Sequence, residues 1–541
     1  RHPHRHHMAP RMTERLYLYD TTLRDGAQTQ GVDFSVADKL RISGELDRLG
    51  IDYIEGGWPG ANPTDDRFFA EPPALANARL CAFGMTRRAG RSASNDPVLA
   101  SILQAGTPVI TLVGKTSARH AEQALGVSRD ENLRMIADSI AEAARRAGEA
   151  ILDAEHFFDG FRLDPDYALA CLEAALEAGA RWVVLCDTNG GSLPHEVERA
   201  AEAAARIVPA GKLGIHTHND TENAVANSLA AIRAGARQVQ GTLNGLGERC
   251  GNANLVSLIP TLVLKMGFDV GLKPGALERL THLSRAFDEE LNRTPNRHAA
   301  YVGASAFAHK AGLHASAVAK DPSFYEHIDP ALVGNERDIL VSDQAGRSNL
   351  LHRFAEMGLR IEPTAEQTTE ILSAIKQRES EGYAYDAAAA SFAVLVRRTL
   401  GDLPDYFRLS SFRVIIEHRF NAKGEQVTIS EATIKGSVGG RAFYKVAEGN
   451  GPVNALDHAM RDAMKEVYAG LEGMSLLDYK VRILPGGGTA AVTRVIIESG
   501  DETGRVWQTV GVSGNIIDAS YEALNDAITY KLMLDRATVP A

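Results

Sequence analysis

Cysteine is scarce in this chain. Four residues, Cys81, Cys171, Cys186 and Cys250, lie far apart among 541 and form no CxxC pair. That argues against a disulfide framework or a thiolate zinc site and favours a reducing compartment, the cytoplasm. A cationic excess is also missing. Lys and Arg number 58 against 69 Asp and Glu, a formal net charge of −11, so no nucleic-acid face spread over the surface is expected. No uninterrupted apolar run approaches the ~20 residues that cross a bilayer, so no membrane partner is expected either. Prolines number 21 and charged residues make up 23%, which excludes a mostly disordered chain. Hydrophobic residues, at 44%, supply a large core. The length suggests about three domains at roughly 150 residues each. The opening RHPHRHH precedes Met8 and carries no apolar stretch. Residues 1–12 read as a tag remnant or disordered, so His2, His4, His6 and His7 are set aside; a native metal-binding tail is the alternative.

From Leu16 to about Asn244, short β-branched or aromatic runs alternate with longer Ala/Leu/Glu/Arg stretches of helical periodicity. The spacing predicts eight strands, at 16–20, 52–57, 79–84, 108–114, 151–157, 182–188, 213–218 and 238–244. Helices lie between them, such as SVADKLRISGELDRLG, with Ser35 as N-cap and Gly50 as stop. Eight βα units close a (β/α)8 barrel over residues 13–271. A doubly wound sheet fits less well, because TTLRDGAQ after the first strand is no GxGxxG fingerprint. Residues 272–404 read as helical subdomains. From 405 to 541 the texture turns strand-like, and two segments match at an offset of 64 around Ala455 and Ala519. Each copy places a helix after strands and a glycine turn, so this region reads as a duplicated α+β domain whose copies pack together.

A catalytic barrel carries its chemistry at the C-terminal strand ends. There the chain places Arg24 and Asp25 (strand 1), Glu55 (2), Asp153, Glu155 and His156 (5), Asp187 and Thr188 (6), and His216 and His218 (7), followed by GLGERCGNAN. Residues i and i+2 of a strand face the same side, so His216 and His218 project together. With Asp25 opposite, they make a two-His, one-carboxylate set for a divalent ion such as Mn²⁺, Mg²⁺, Zn²⁺ or Co²⁺. The plainer alternative is two histidines that only hydrogen-bond locally. Arg24 beside a cation makes sense if an anionic substrate oxygen lies between them; a structural pair with Glu55 or Glu155 is the other option. Glu55, Glu155 and Thr188 are candidates for orienting substrate, and Asp187 could equally be a buried structural acid.

TTLRDGAQ, HTHND and GLGERCGNANL together resemble the DRE-TIM metallolyases. Within them they resemble the Claisen-condensing branch of 2-isopropylmalate, homocitrate and citramalate synthases, to which the GERxGN loop and the duplicated C-terminal domain belong. The resemblance spans about residues 15–541. EGGWPGANPTDD, ESEGYAYDAAAASF and YEHIDPALVGNERD are similar to the long-form citramalate subgroup. The resemblance implies Asp25, His216 and His218 as metal ligands and Asn252 as a weaker fourth. It implies Arg24 as stabiliser of the enolate and alkoxide, and Glu155 and Thr188 as holders of the keto acid. His314, in HKAGLHASAV, would be the base that takes a methyl proton from acetyl-CoA, assisted by Tyr325. After His314 the chain has Ala315 and Ser316, where some relatives carry an acidic or amide residue. Condensation with pyruvate would then give (R)-citramalate and CoA.

The resemblance further implies a homodimer and feedback by isoleucine, with leucine second, at the C-terminal domain. The glycine turns 449–451 and 511–514, each before a helix, expose backbone N–H groups that suit a carboxylate; a purely dimer-stabilising domain is the alternative. Three other readings compete. A 2-isopropylmalate synthase would differ only in pocket volume around strands 3 to 5, near Phe83, Leu112 and Asp153. An acyl-CoA lyase would need no C-terminal duplication. A non-catalytic sensor would not keep Arg24, Asp25, His216 and His218 together.

Overall fold

The computed structural model describes residues 13–308, 317–318, 320–337, 343–485 and 491–540. The chain divides into two compact units: Arg1–Ser284 with Asn296–Asn335, and Arg285–Pro295 with Glu336–Ala541.

In the first unit the eight predicted strands form a closed, all-parallel barrel. They are β1 (Tyr17–Asp20), β2 (Tyr53–Gly57), β3 (Arg79–Met85), β4 (Val109–Lys115), β5 (Glu149–Glu155), β6 (Trp182–Asp187), β7 (Leu213–Thr217) and β8 (Gln238–Gly241). Closure comes from β8 pairing with β1, Asp20 opposite Gly241. The two-residue period sorts the side chains. Tyr19, Tyr53, Cys81, Val109, Ile151, Trp182 and Val184 fill the interior. Polar atoms inside find partners: Tyr19 Oη lies 2.7 Å from Thr111 Oγ1, and Trp182 Nε1 donates to Tyr53 Oη at 3.2 Å. Ser35 caps the helix Val36–Leu49 as expected. Its Oγ accepts from Asp38 N, and Asp38 Oδ2 accepts from Ser35 N, both at 3.0 Å. Gly50, at φ 107°, ends that helix against Gly271 O, where a Cβ would come within 2.6 Å.

β8 is shorter than its sequence suggests. The chain turns at Leu243–Gly245, with Asn244 at φ 56°, and doubles back so that Ala253 N donates to Thr217 O at 3.2 Å. This return passes so close to β8 that a Cβ on Gly241 would press on Ala253 O, 2.6 Å away. GLGERCGNAN is therefore a loop folded over the strand ends, pinned by bridges His218–Asn252 and Thr242–Asn254.

The second unit contains the helices Ala365–Ser380 and Ala389–Leu400, the latter buried from Ala390 to Val396. The duplication is then visible. Antiparallel strands β9 (Arg408–Phe420), β10 (Gln426–Val438) and β11 (Arg441–Gly449) precede the helix Pro452–Met464. Strands β12 (Ser475–Ile483), β13 (Thr493–Gly500) and β14 (Val506–Ser513) precede the helix Ile516–Leu534. The matched Ala455, Ala459, Ala519, Ala523 and Ala527 all lie in one shared core with Ile434, Val495 and Trp507. The repeated small residues let each helix lie flat on its sheet.

Candidate active site

Asp25, His216 and His218 each offer a ligand atom, and those atoms lie within 4.8 Å of one another. All three are buried. The register of β7 against β8 puts His216 beside Gln240, whose Oε1 accepts from His216 Nδ1 at 2.7 Å. His218 Nδ1 donates to Asp187 O at 3.1 Å. Both imidazoles therefore carry an unprotonated Nε2, the tautomer a metal needs, and that of His216 accepts from Asn252 Nδ2. Burial is the largest cause and, against the opposing pull of Asp25, holds both rings below the ordinary imidazole range, which favours their neutral form. Burial opposes the charge on Asp25, but Arg24, His216 and His218 outweigh it and hold the carboxyl below its usual value. Asn252 Nδ2 donates to Asp25 Oδ2 at 3.1 Å and lies 3.3 Å from His216 Nε2, while its buried Oδ1 has no partner. An orphaned amide oxygen beside a carboxylate and two lone-pair nitrogens fits a cation rather than a purely hydrogen-bonded cluster.

Arg24 packs against this set. Its Nη1 lies 3.1 Å from Asp25 Oδ1 and its Nη2 3.2 Å from Asp25 Oδ2; its Nε donates to Glu55 Oε1. The guanidinium sits over the Phe83 ring, 3.6 Å from the centroid. Glu55 is fully buried beneath it rather than on the cavity wall, and burial raises its carboxyl. The structural pair considered for Arg24 is thus with Glu55, not Glu155. Glu155 instead accepts from Lys115 Nζ at 2.9 Å, the residue opposite it in register. Thr188 Oγ1 accepts from His156 N at 2.8 Å. Asp187 is engaged with Ser192, at 2.9 Å from its Oγ, which is the structural option for that acid.

A cavity of about 680 Å³ opens over the cluster, and Arg24, Asp25, Glu155, Thr188, His216 and His218 all line it. Trp58, Phe83, Met85 and Val113 supply its apolar wall. Leu112 does not line it. Val109 and Val113 point inward on β4, so Leu112 faces the outer helices and cannot set pocket volume; Val113 does. Asp153 lines the floor, and burial, then Glu55, keeps its proton on well above the usual range. Tyr325, 46% exposed after the turn Pro322–Phe324, does not line the cavity. His314 lies outside the described residues. Phe83, expected near the pocket, does line it; Gln240 and Lys115 escaped the sequence reading. The signal for Gln240 was there: QVQG places two amides at i and i+2 on a barrel strand that should otherwise be apolar inside.

Three family models match: HMGL-like over residues 15–283, homocitrate synthase post-HMGL domain-like over 301–382, and the LeuA allosteric (dimerisation) domain over 386–532. The chain is 51% identical over 527 residues to an (R)-citramalate synthase of Aquifex aeolicus, covering 97% of this chain and 99% of that one. It is 50% identical over 518 residues to an (R)-citramalate synthase of Geobacter sulfurreducens, covering 95% and 97%. A 2-isopropylmalate synthase of Dictyoglomus turgidum matches at 31% over 532 residues, covering 96% and 99%.

Proposed function

The chain belongs to the (R)-citramalate synthase family, and from that premise we propose how its barrel mouth works. It is a transferase that condenses acetyl-CoA with pyruvate and releases (R)-citramalate and CoA. The observation that carries the site reading is the pair of neutral, Nε2-directed imidazoles facing Asp25, with Arg24 alongside. Asp25, His216 and His218 would hold a divalent ion, with Asn252 as a further oxygen donor. The mixed nitrogen and oxygen set suits Mn, Mg, Zn or Co. Bound there, such an ion supplies Lewis acidity to the oxygens of the 2-oxo acid.

The protein's own groups do the rest. Glu155, steadied by Lys115, and Thr188 orient the keto acid on the cavity wall. By the resemblance, His314 removes a proton from the acetyl methyl group and Tyr325 assists, both brought to a barrel mouth by segment exchange in a homodimer rather than within one chain. As the new C–C bond forms at the keto carbon, negative charge collects on the keto oxygen. Arg24, fixed by Glu55 and Phe83, meets that charge without having to reorganise. Hydrolysis of the thioester by water then frees CoA and makes the reaction irreversible.

The finer parts of the reading follow from the same premise. Residues 13–271 form the catalytic domain, 272–404 the helical subdomains and 405–541 the regulatory domain. A match to an allosteric (dimerisation) model supports a homodimer with an amino-acid effector, isoleucine before leucine, and a place in isoleucine biosynthesis. No helix among the described residues is long and apolar enough to cross a membrane. Free thiols at Cys81, Cys171, Cys186 and Cys250 support the cytoplasm.

The test is CoA release from acetyl-CoA with pyruvate, 2-oxobutyrate and 2-oxoisovalerate. Pyruvate gives the highest kcat/KM. A higher value for 2-oxoisovalerate would replace this reading with 2-isopropylmalate synthase, since an apolar pocket discriminates one methylene by about 10- to 200-fold.

A further inference from the structure

We propose that His156 is a positioning residue for the condensation. Its backbone N–H sets the Thr188 hydroxyl and its imidazole sets the Glu155 carboxylate, so one residue aims both groups at the keto acid. The inference rests on the reading above, which takes Glu155 and Thr188 as the groups that orient the 2-oxo acid, and it names what holds them in place.

The ladder between β5 and β6 ends at Ala154, opposite Leu185. Two residues further on, His156 sits at φ 59° and ψ 29°, in the left-handed region. That conformation is costly for a residue with a Cβ and persists only where its surroundings hold it. It brings the His156 N–H onto Thr188 Oγ1, 2.8 Å away. Because that oxygen accepts, the hydroxyl's own proton is left for the cavity that Thr188 lines. A carboxylate or keto oxygen arriving there meets a donor, whereas a freely rotating hydroxyl would present either its proton or a lone pair. Thr116 anchors the same strand end from the other side, its N and Oγ1 donating to Glu155 O at 3.0 and 2.8 Å.

The imidazole lies between two carboxylates. Its Nε2 is 3.6 Å from Glu155 Oε1, and its Nδ1 is 3.8 Å from Asp159 Oδ2. Whichever nitrogen carries the proton therefore faces a carboxylate. Both separations are just beyond hydrogen-bond length, as contacts of this kind often are before substrate tightens the site. Glu155 Oε2 is already taken by Lys115 Nζ at 2.9 Å. One contact at one oxygen leaves a carboxylate free to swing; a second group at Oε1 fixes its plane.

The ring is itself held. His156 is buried, and it stacks on His120 with centroids 3.7 Å apart and planes 10° from parallel. His120 is delivered by the single π-helical turn His120–Ala124, a geometry frequent at functional sites. Asp159, behind Nδ1, is tied to Arg162 and accepts from Asn189 Nδ2 at 3.0 Å. An asparagine would serve the left-handed backbone as well as a histidine does. It could not place a ring on His120 and a nitrogen beside Glu155 at once. The two duties of His156 are therefore separable by substitution.

The experiment separates them in the full chain loaded with Mn²⁺. His156→Asn keeps the left-handed backbone and removes the ring; His156→Val, β-branched, disfavours that backbone as well. CoA release gives kcat/KM for pyruvate and the KM for acetyl-CoA. His156→Asn lowers kcat/KM for pyruvate about tenfold and His156→Val about a hundredfold, the scale of a misplaced orienting group. The KM for acetyl-CoA, the metal affinity and the unfolding midpoint of His156→Asn stay at wild-type values. In a Glu155→Ala background His156→Asn costs almost nothing further. In a Thr188→Val background the extra loss from Asn to Val disappears, because the group acted on is gone. An Asn variant as active as wild type, a loss of the same size in the Glu155→Ala background, or an equal loss in the KM for acetyl-CoA would overturn the assignment. If His156→Val fails to fold, the Asn variant and its Glu155→Ala cycle decide alone. The condensing activity fails separately: wild-type protein that releases no CoA from acetyl-CoA and pyruvate sinks that reading, while calorimetric binding of pyruvate to the Mn²⁺-loaded chain still reports on His156.

Discussion

Replacing Arg24 by Ala removes a guanidinium that serves two carboxylates at once. Glu55 is fully buried, its Oε1 is held by Arg24 Nε, and its Oε2 has no partner. Without Arg24, Glu55 must either stay charged in a low-dielectric site or take up a proton. Protonation caps the penalty, at about 1.4 kcal/mol per pH unit above the ordinary value. That ordinary value is 4.5, so at pH 7.5 the cap is about 4 kcal/mol, inside the ~3–5 kcal/mol typical of a broken buried pair. The sign follows. A carboxyl whose folded pKa is raised is at no disadvantage below its ordinary value and loses stability as pH climbs towards the folded one. The deficit of Arg24→Ala against wild type, whose own Glu55 carboxyl is already raised, is therefore at most about 1.4 kcal/mol at pH 5.5 and at most about 4 kcal/mol at pH 7.5. Denaturant unfolding at the two pH values reads it. Adding Glu55→Gln to Arg24→Ala removes the pH slope. Turnover behaves differently, because it depends on charge at the keto oxygen. Arg24→Ala lowers kcat about 10²- to 10³-fold, and Glu55→Gln does not bring it back. Arg24→Lys is also poor, since one ammonium cannot reach Glu55 and Asp25 together. An equal deficit at both pH values would refute the buried-carboxylate reasoning. A variant that changes only the KM for pyruvate would refute the transition-state role.

Other outcomes follow from single contacts. His216→Ala loses bound metal and turnover together, by elemental analysis and thiol release, while the far-ultraviolet circular dichroism of the barrel persists. Gln240→Leu leaves His216 Nδ1 unheld and weakens metal affinity about 10- to 100-fold in a chelator competition; unchanged affinity would remove Gln240 from the site. At Gly247 a Cβ would overlap Asn252 Oδ1, so Gly247→Ala displaces Asn252 and lowers metal affinity with little change in the unfolding midpoint. Burial raises the Asp526 carboxyl to about 6 from 3.8, so its contribution to stability is present below pH 3.8 and lost as pH rises through 6. Asp526→Asn keeps the acceptor for Ser391 and removes that slope. Isoleucine inhibits the full chain more strongly than leucine, and a truncation ending at Gly401 no longer responds; no binding of either at millimolar concentration would leave the domain a dimerisation element alone.

What was legible in the sequence was what repeats locally. β2, β5 and β8 announce themselves as strand-like runs after helices that stop at Gly50, Gly148 and Gly235, because the helix period and the strand period differ and glycine marks the change. His216 and His218 were legible for the same reason: a period of two puts them on one face. The partners that complete the site were not. Gln240 and Lys115 reach it by the registers β7 to β8 and β4 to β5. Register is a relation between strands, and no single strand carries it. Leu112 shows the same limit from the other side. Its strand was found, but one step of the pleat turns it out of the cavity and Val113 in.

The glycine turns of the duplicated domain show how one pattern can answer more than one demand. They suggested backbone donors for a carboxylate. At Gly449 a Cβ would press into Ala455 N, and at Gly511 into Ala519 O, so both glycines are there to let a strand end meet a helix. The two helix starts also differ. Before Ile516, Asn515 Oδ1 already accepts from Ile517 N at 2.8 Å and Asp518 N at 3.3 Å. Before Pro452, Gly451 offers no side-chain cap. A duplication kept for packing need not keep equal ends, because the shared core reads only Ala455, Ala459, Ala519 and Ala523. An effector that used helix N–H groups would therefore find them at one repeat and not the other. If the effector binds through helix N–H groups, calorimetry finds one amino acid per chain; two per chain would refute this use of the helix ends.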